Sequence, residues 1–159
     1  MRDVAARFRE YVRLDRRRRS GGLSVEELAR WRLLKRALST HFDPDARVQT
    51  VDRRDSIRVP TRLNVHFQTD GALASCLMTN ISQHGVFVQT EQPLELKSRF
   101  ELHIQVMSPP RTLVAPVEVV SVGMGPCFET DKQGMGLRFL SLDPETAKAI
   151  DELYERSVR

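Results

Sequence analysis

This chain has the composition of a soluble globular protein, because 40% of its 159 residues are hydrophobic and 29% are charged. No apolar run approaches the roughly 18 residues that a membrane-spanning helix needs, and the basic N-terminus lacks the apolar core of a secretory signal. We therefore expect a cytoplasmic protein that does not insert into a membrane.

The net charge of +4 is unevenly distributed along the chain. Residues 1–43 carry 12 Lys and Arg against 6 Asp and Glu, so the excess positive charge belongs to the front of the chain. The densest basic run, Arg16–Arg19, has a pattern that can contact nucleic acid or anionic lipid. Because no aromatic residues are interleaved and no nucleic-acid module is recognisable, a solvated helix end is the favoured interpretation.

Two amphipathic helices are predicted at the N-terminus. Apolar side chains recur at helical spacing over residues 3–19, and Ser20–Gly22 ends this helix. Ser24 and Glu27 have the spacing of a capping box and begin a second helix. Two helices of this size cannot bury both apolar stripes alone, so we expect the hairpin to pack on the rest of the chain or on another protomer.

After a polar linker at residues 43–52, the hydrophobic period changes from 3.6 to 2, which is typical of half-buried strands. Pro116 implies an edge or a bulge in its strand. Six short strands with regular turns predict an antiparallel barrel or sandwich. The predicted strands lie within Leu63–Phe67, Ser75–Ile81, Val86–Thr90, Phe100–Val106, Leu113–Val122 and Met135–Leu140.

A third helix is predicted at the C-terminus. Asp143 can act as its N-cap, and Pro144 suits its first position. Its apolar stripe, which extends to Tyr154, is expected to close an open end of the barrel. The predicted fold is therefore mainly β, with a helical hairpin at residues 1–42 and a barrel domain with its helix at residues 53–159.

An arginine-rich segment precedes the first strand. Arg54 and Arg58 are four residues apart, with Arg53 adjacent, but the chain has 21 Arg and repeats this spacing elsewhere. On a helix such a pair usually lies on a solvated face. This copy differs because Pro60 disfavours helix at Val59, so these arginines are expected on an extended segment.

A polar turn, Asn80-Ile81-Ser82-Gln83-His84-Gly85, joins the second and third strands. One interpretation is an ordinary turn, in which Asn and Ser bond nearby backbone and Gly takes a positive φ. The other is a ligand site, because guanidinium forks bind phosphate or the guanine edge and an amide can donate to and accept from a base. Together the arginines and this turn suit a planar, anionic, guanine-bearing ligand.

No catalytic or metal-binding pattern is present in the sequence. The four histidines are scattered, and Cys76 and Cys127 are isolated, so neither metal-ligand spacing nor a disulfide framework is indicated. His66 and His103 fall on polar phases of strands and are expected to be exposed. Fingerprints of nucleotide-dependent enzymes and hydrolases are lacking. We expect no enzymatic activity and no cofactor.

The order of these features resembles the PilZ domain, a bacterial receptor module for cyclic di-GMP. The resemblance covers about residues 51–158 and implies a six-stranded antiparallel β-barrel with a C-terminal helix. The features that carry it are the arginine segment before the first strand, the Asn-x-Ser-x-x-Gly turn after the second, and the closing Gly134–Phe139 and Asp143–Glu145.

The resemblance also implies which residues bind cyclic di-GMP. Arg54 and Arg58 match the arginines of a flexible loop that wraps the ligand. Arg53 matches an adjacent position that bears on whether one or two nucleotides bind. The barrel-surface motif that receives a guanine base corresponds to Asn80, Ser82 and Gly85.

A mechanism follows as an expectation. Residues 52–59 should be mobile before binding, because their charged side chains have few apolar anchors, and ligand phosphates would order them over the barrel. Since this segment joins the hairpin to the barrel, its ordering would reorient the hairpin toward a protein partner or another protomer.

Two alternative functions remain. The chain can be a protein-interaction adaptor that keeps the fold and acts independently of nucleotide. Less favoured is a basic nucleic-acid-associated protein that uses Arg16–Arg19.

Overall fold

Three helices and six antiparallel strands form the described part of the chain. This computed structural model describes residues 3–44, 56–107, 109–124 and 133–158. Two compact units are distinguished: a helical unit of Met1–Val59 with Leu153–Arg159, and a barrel unit of Pro60–Glu152. The helices are α1 (Val4–Ser20), α2 (Val25–Phe42) and α3 (Pro144–Arg156). The strands are β1 (Val59–Thr69), β2 (Ala72–Ile81), β3 (Gly85–Gln89), β4 (Arg99–Met107), β5 (Pro110–Met124) and β6 (Gln133–Phe139).

Local hydrogen bonds fix the junction between α1 and α2. The amide of Gly21 donates to the carbonyl of Arg17 at 3.0 Å and ends α1. Ser24 and Glu27 form the predicted capping box, in which each side chain accepts from the other residue's backbone amide at 3.2 Å. The helix break and the helix start are therefore both confirmed.

Aromatic side chains form the core of the helical unit. The ring of Phe8 packs edge-on against that of Tyr154, with centroids 5.1 Å apart, and the Tyr154 hydroxyl donates to the carbonyl of Ile57 at 2.8 Å. Tyr154, the last residue of the predicted stripe of α3, is therefore part of the core of the helical unit. The helical unit offers this side chain both an aromatic partner and a buried acceptor for its hydroxyl, which a buried tyrosine requires.

The basic run Arg16–Arg19 is ion-paired and mostly exposed, which agrees with the predicted solvated helix end. Arg18 and Arg19 bond the fully buried carboxylate of Asp15 at 3.0 and 2.9 Å. Trp31 Nε1 donates to the same carboxylate at 3.0 Å. A buried carboxylate is costly unless it is paired and hydrogen-bonded, so Asp15 holds the helix end together. The other two arginines pair with Glu155 (Arg16) and Glu27 (Arg17).

The six strands close into an antiparallel barrel in the order β1-β2-β3-β6-β5-β4. Pairing of β1 with β4, in which Val65 lies opposite Ile104, completes the closure. The predicted barrel is confirmed over the alternative sandwich. Alternating apolar residues are buried as expected, and they include Phe67, Met78, Val88, Leu102, Val117, Met135 and Leu137.

The long strand β5 changes partners along its length. Its described pairs with β4 run from Pro110 to Glu118, whereas its described pairs with β6 begin at Val117, which lies opposite Phe139. Pro116 therefore lies in a one-sided stretch of strand, which is the edge position that its missing N–H permits. The same strand has a bulge near Val120, where the register with β6 shifts.

The predicted start of α3 is confirmed. The Asp143 carboxylate accepts from the amide of Thr146 at 2.8 Å and from its hydroxyl at 3.0 Å, and Pro144 is the first helical residue. Across the residues that the structure describes, no helix combines the length and the apolar character needed to cross a membrane.

Candidate ligand-binding surface

The turn between β2 and β3 is held by its own serine. The amide of Ser82 donates to the carbonyl of Gly85 at 2.9 Å, and the Ser82 hydroxyl donates to the same carbonyl at 3.3 Å. The hydroxyl also accepts from the amide of His84 at 3.3 Å. These bonds give the turn a fixed shape before any ligand arrives, as expected for a serine in a polar turn.

A β-bulge sets the direction of Asn80. The pairing of β2 with β3 shifts between Met78 and Asn80, so Thr79 is the extra residue. Met78 remains in the core opposite Val88, and Asn80 lies opposite Phe87. Asn80 is only 8% exposed, so its amide is sheltered on the outer side of the barrel.

Gly85 is a glycine because two backbones meet there. A Cβ at this position would lie 2.1 Å from the carbonyl oxygen of Leu137 on β6, far inside van der Waals contact. The φ of Gly85 is outside the left-handed region, so the expectation of a positive-φ turn glycine is wrong. The close pairing of β3 with β6 is the reason that no side chain fits.

The neighbouring strand β6 adds two more glycines to this surface. A Cβ on Gly134 would lie 2.6 Å from Cζ of the Phe87 ring, and one on Gly136 would lie 2.3 Å from Oγ of Ser121. Gly136 lies opposite Phe87 in the β3–β6 pairing. The Phe87 ring therefore covers Gly134 and the Ser121 hydroxyl covers Gly136, so this part of the outer surface is partly aromatic.

Three charged side chains lie side by side on successive strands of the barrel, beginning with the residue opposite Gly85. Arg138 lies opposite Gly85, and Glu118 lies opposite Arg138. Arg138 Nη2 and Arg99 Nε each lie 2.9 Å from a different oxygen of the Glu118 carboxylate. These bonds, with Arg138 the larger cause, hold the pKa of Glu118 below its ordinary value. Sequence reasoning assigned Arg138 no role, since only the strand register places it beside the turn.

The predicted arginines are only partly covered by the described residues. Arg53 and Arg54 lie outside them, whereas Arg58 is exposed at the end of the helical unit. Ser56, Ile57 and Val59 are all buried. The expectation that residues 52–59 lack apolar anchors is therefore wrong for its second half, because Ile57 and Val59 supply them.

Two of the scattered histidines come together in the barrel. His66 lies opposite His103, and their rings stack with centroids 4.8 Å apart. Both are half-buried, so the expected surface exposure is wrong. The described ranges contain no group of three His, Cys, Asp or Glu residues able to hold a metal ion.

Comparison with known families gives one match, to the PilZ domain, over residues 52–156. No curated protein matches this sequence. The match covers the barrel, the polar turn and all of α3, and it leaves α1 and α2 outside.

Solved structures with the same fold include proteins from two bacteria. The inhibitor of motility of Bacillus subtilis has a TM-score of 0.56 at 20% identity, covering 65% of this chain and 50% of that one. The PilZ domain of YcgR from Escherichia coli with cyclic di-GMP has a TM-score of 0.56 at 13% identity, covering 67% and 91%. YcgR in complex with cyclic di-GMP has a TM-score of 0.53 at 14% identity, covering 64% and 44%. This chain thus spans about half of the first structure, and at these identities the likeness shows the fold.

Proposed function

This chain belongs to the PilZ domain family, and from that membership we propose that it is a cytoplasmic bacterial receptor for cyclic di-GMP. It binds the nucleotide without catalysis and signals to a protein partner, or through self-association of its helical hairpin. The observation that supports this most is the Asn80–Gly85 turn, whose shape is fixed by the bonds of Ser82 to Gly85 and His84. The YcgR structures that share the fold contain the same nucleotide.

The proposed contacts follow from the chemistry of the ligand. Asn80 offers a donor and an acceptor to the guanine edge, and Ser82 presents its hydroxyl at the rim of the turn. Guanidinium groups bond phosphate or the guanine O6 and N7 pair bidentately, and they also stack on purine faces. The ligand contacts that we propose are Arg53, Arg54, Arg58, Asn80, Ser82 and Gly85.

A route for signalling is suggested by the anchoring of residues 56–59. The carbonyl of Ile57 accepts a hydrogen bond from the hydroxyl of Tyr154, and the Tyr154 ring packs on Phe8 of α1. Arg58 follows Ile57 directly, so an arginine segment that closes on a ligand would pull on a residue bonded into the helical core. Ordering of this kind is a common switching device.

Calorimetry tests the receptor proposal. We expect the unmodified chain to bind cyclic di-GMP, and Arg58→Ala or Asn80→Ala to weaken binding about 10-fold or more, because a good bidentate contact to a base contributes about 1–3 kcal/mol. Arg32→Ala is the matched control, since Arg32 is an exposed arginine of α2 with the same four-residue spacing to a second arginine. Absence of heat with the unmodified chain at micromolar ligand would sink the proposal.

A second candidate function is the adaptor that acts without nucleotide. It is favoured by a specific observation: Asn80 is sheltered, the Ser82 hydroxyl is used within its own turn, and Gly85 is required by strand packing. Ser82 and Gly85 therefore each have a structural reason to be present. A chain that fails to bind cyclic di-GMP yet captures a partner protein through α1 and α2 would support this candidate.

A further inference from the structure

An arginine cluster spans three neighbouring strands, of which β6 lies next to the polar turn. It consists of Arg138 on β6, Glu118 on β5 and Arg99 on β4, joined by two bonds of 2.9 Å. The side chain of Glu118 is 14% exposed, whereas those of Arg138 and Arg99 are 54% and 67% exposed. One carboxylate thus holds two arginines at the surface, and the cluster has a net charge of +1.

The geometry points to Arg138 as a further ligand-binding residue, whose guanidinium contacts a phosphate of the bound nucleotide. This inference rests on the proposed receptor function and adds a contact from the barrel itself. Glu118 accepts a hydrogen bond from Nη2 of Arg138. A guanidinium has five N–H donors, so this bond does not use all of them. Arg138 can therefore bond a phosphate while Glu118 holds it in place.

The position of Gly85 is the main argument. Gly85 lies directly opposite Arg138 and carries no side chain, so no side chain of β3 at that level separates Arg138 from the turn, while Glu118 holds the guanidinium on the β5 side. Neighbouring strands are about 4.8 Å apart. Arg138 is one strand from Gly85, whereas Arg99 is three strands away, or about 14 Å by the same spacing. Only Arg138 is close to the motif.

Glu118 acts as the positioning residue of the cluster. An exposed arginine on its own samples many rotamers, and ordering it on a ligand has an entropic cost. The carboxylate already holds Arg138 through one of its oxygens. A cyclic dinucleotide has two phosphodiester groups, so an arginine that is already ordered one strand from the turn would bond one of them with a charge-assisted hydrogen bond.

Calorimetry on a matched pair of variants tests the inference. Arg138→Ala and Arg99→Ala each remove one exposed arginine from the same carboxylate, and exposed ion pairs contribute little to stability. Both variants should therefore fold and melt close to the unmodified chain. We expect Arg138→Ala to weaken cyclic di-GMP binding about 10-fold, as loss of a charge-assisted hydrogen bond predicts, and Arg99→Ala to change it less than about 2-fold.

The outcomes separate this inference from the receptor proposal. If the unmodified chain binds and Arg138→Ala binds equally well, the Arg138 assignment fails and the receptor function stands. If Arg99→Ala weakens binding as much as Arg138→Ala, general charge rather than a contact is responsible, and the assignment also fails. If the unmodified chain gives no heat, both proposals fall together.

Discussion

At the scale of single residues, strand packing alone explains why position 85 is a glycine. Its missing side chain makes room for the Leu137 carbonyl, so the fold demands a glycine there whether or not a nucleotide binds. Asn80 differs, because β-strands do not favour asparagine and nothing in the pairing with Phe87 requires an amide. Among the motif residues, Asn80 is therefore the better reporter of binding.

We predict that Gly85→Ala destabilises the barrel. The added methyl group would press on the backbone of β6, and overpacking of this kind costs about 1–3 kcal/mol. Urea unfolding gives the measurement, with Gly21→Ala as the control, because a Cβ at Gly21 meets nothing within 4 Å. Unchanged stability of Gly85→Ala together with lost ligand binding would mean that the glycine serves the ligand instead.

At the scale of elements, α3 begins with a titratable cap. The bonds from the Thr146 amide and hydroxyl hold the pKa of Asp143 below its ordinary value of 3.8. Because the folded chain lowers this pKa, the ionised cap stabilises the fold fully above about pH 4, and this contribution disappears as the pH falls through the folded pKa.

Asp143→Asn should remove this pH dependence while keeping the cap, because Asn caps about as well as Asp. We expect the variant to match the unmodified chain in urea midpoint near about pH 7 and to lose less stability than it on going to about pH 3. The comparison needs both proteins at both pH values, since other carboxylates titrate equally in each. Parallel pH profiles would contradict the assignment of Asp143 as a titrating cap.

The sequence predicted the helices and strands but not which of them lie side by side. Alternation of apolar residues predicted all six strands, and the Ser24 capping box and Pro144 marked two helix starts. The bulge at Thr79, the proximity of Arg138 to Gly85 and the pairing of Asp15 with Trp31 depend on which strands or helices lie side by side. Contacts between elements leave no periodic pattern in one sequence. The sequence therefore predicted the part of the candidate site that lies within a local segment, and not the residues that a neighbouring strand brings close.

At the scale of the whole molecule, the chain connects the arginine segment to the helical unit. Residues 56–59 are anchored by Ile57 and Val59, and α3 contributes Tyr154 to the same unit. A change in the arginine segment therefore has a covalent path to a packed aromatic core.

Amide hydrogen exchange tests whether ligand binding affects the helical unit along this path. We expect cyclic di-GMP to slow amide exchange in residues 56–59 and in α1 near Phe8, because bonds at Ile57 would open less often once its neighbours are ordered. Peptides from β4 should not change, and Arg54→Ala should abolish the effect at equal total ligand. No ligand-dependent change anywhere in residues 1–58 would exclude signalling through the helical unit.

The one-sided half of β5 has a consequence for how the molecule behaves in a crowded cell. Pro116 accepts a hydrogen bond from the amide of Leu140, so its backbone points away from β4, and strand alternation points Thr112, Val114 and Pro110 the same way. An open strand edge invites pairing with other chains. Two of these four outward positions are prolines, which have no N–H. A strand of another protein would therefore find only half of the amide donors that it needs for pairing. The prolines thus protect this one-sided part of β5 from intermolecular β-pairing.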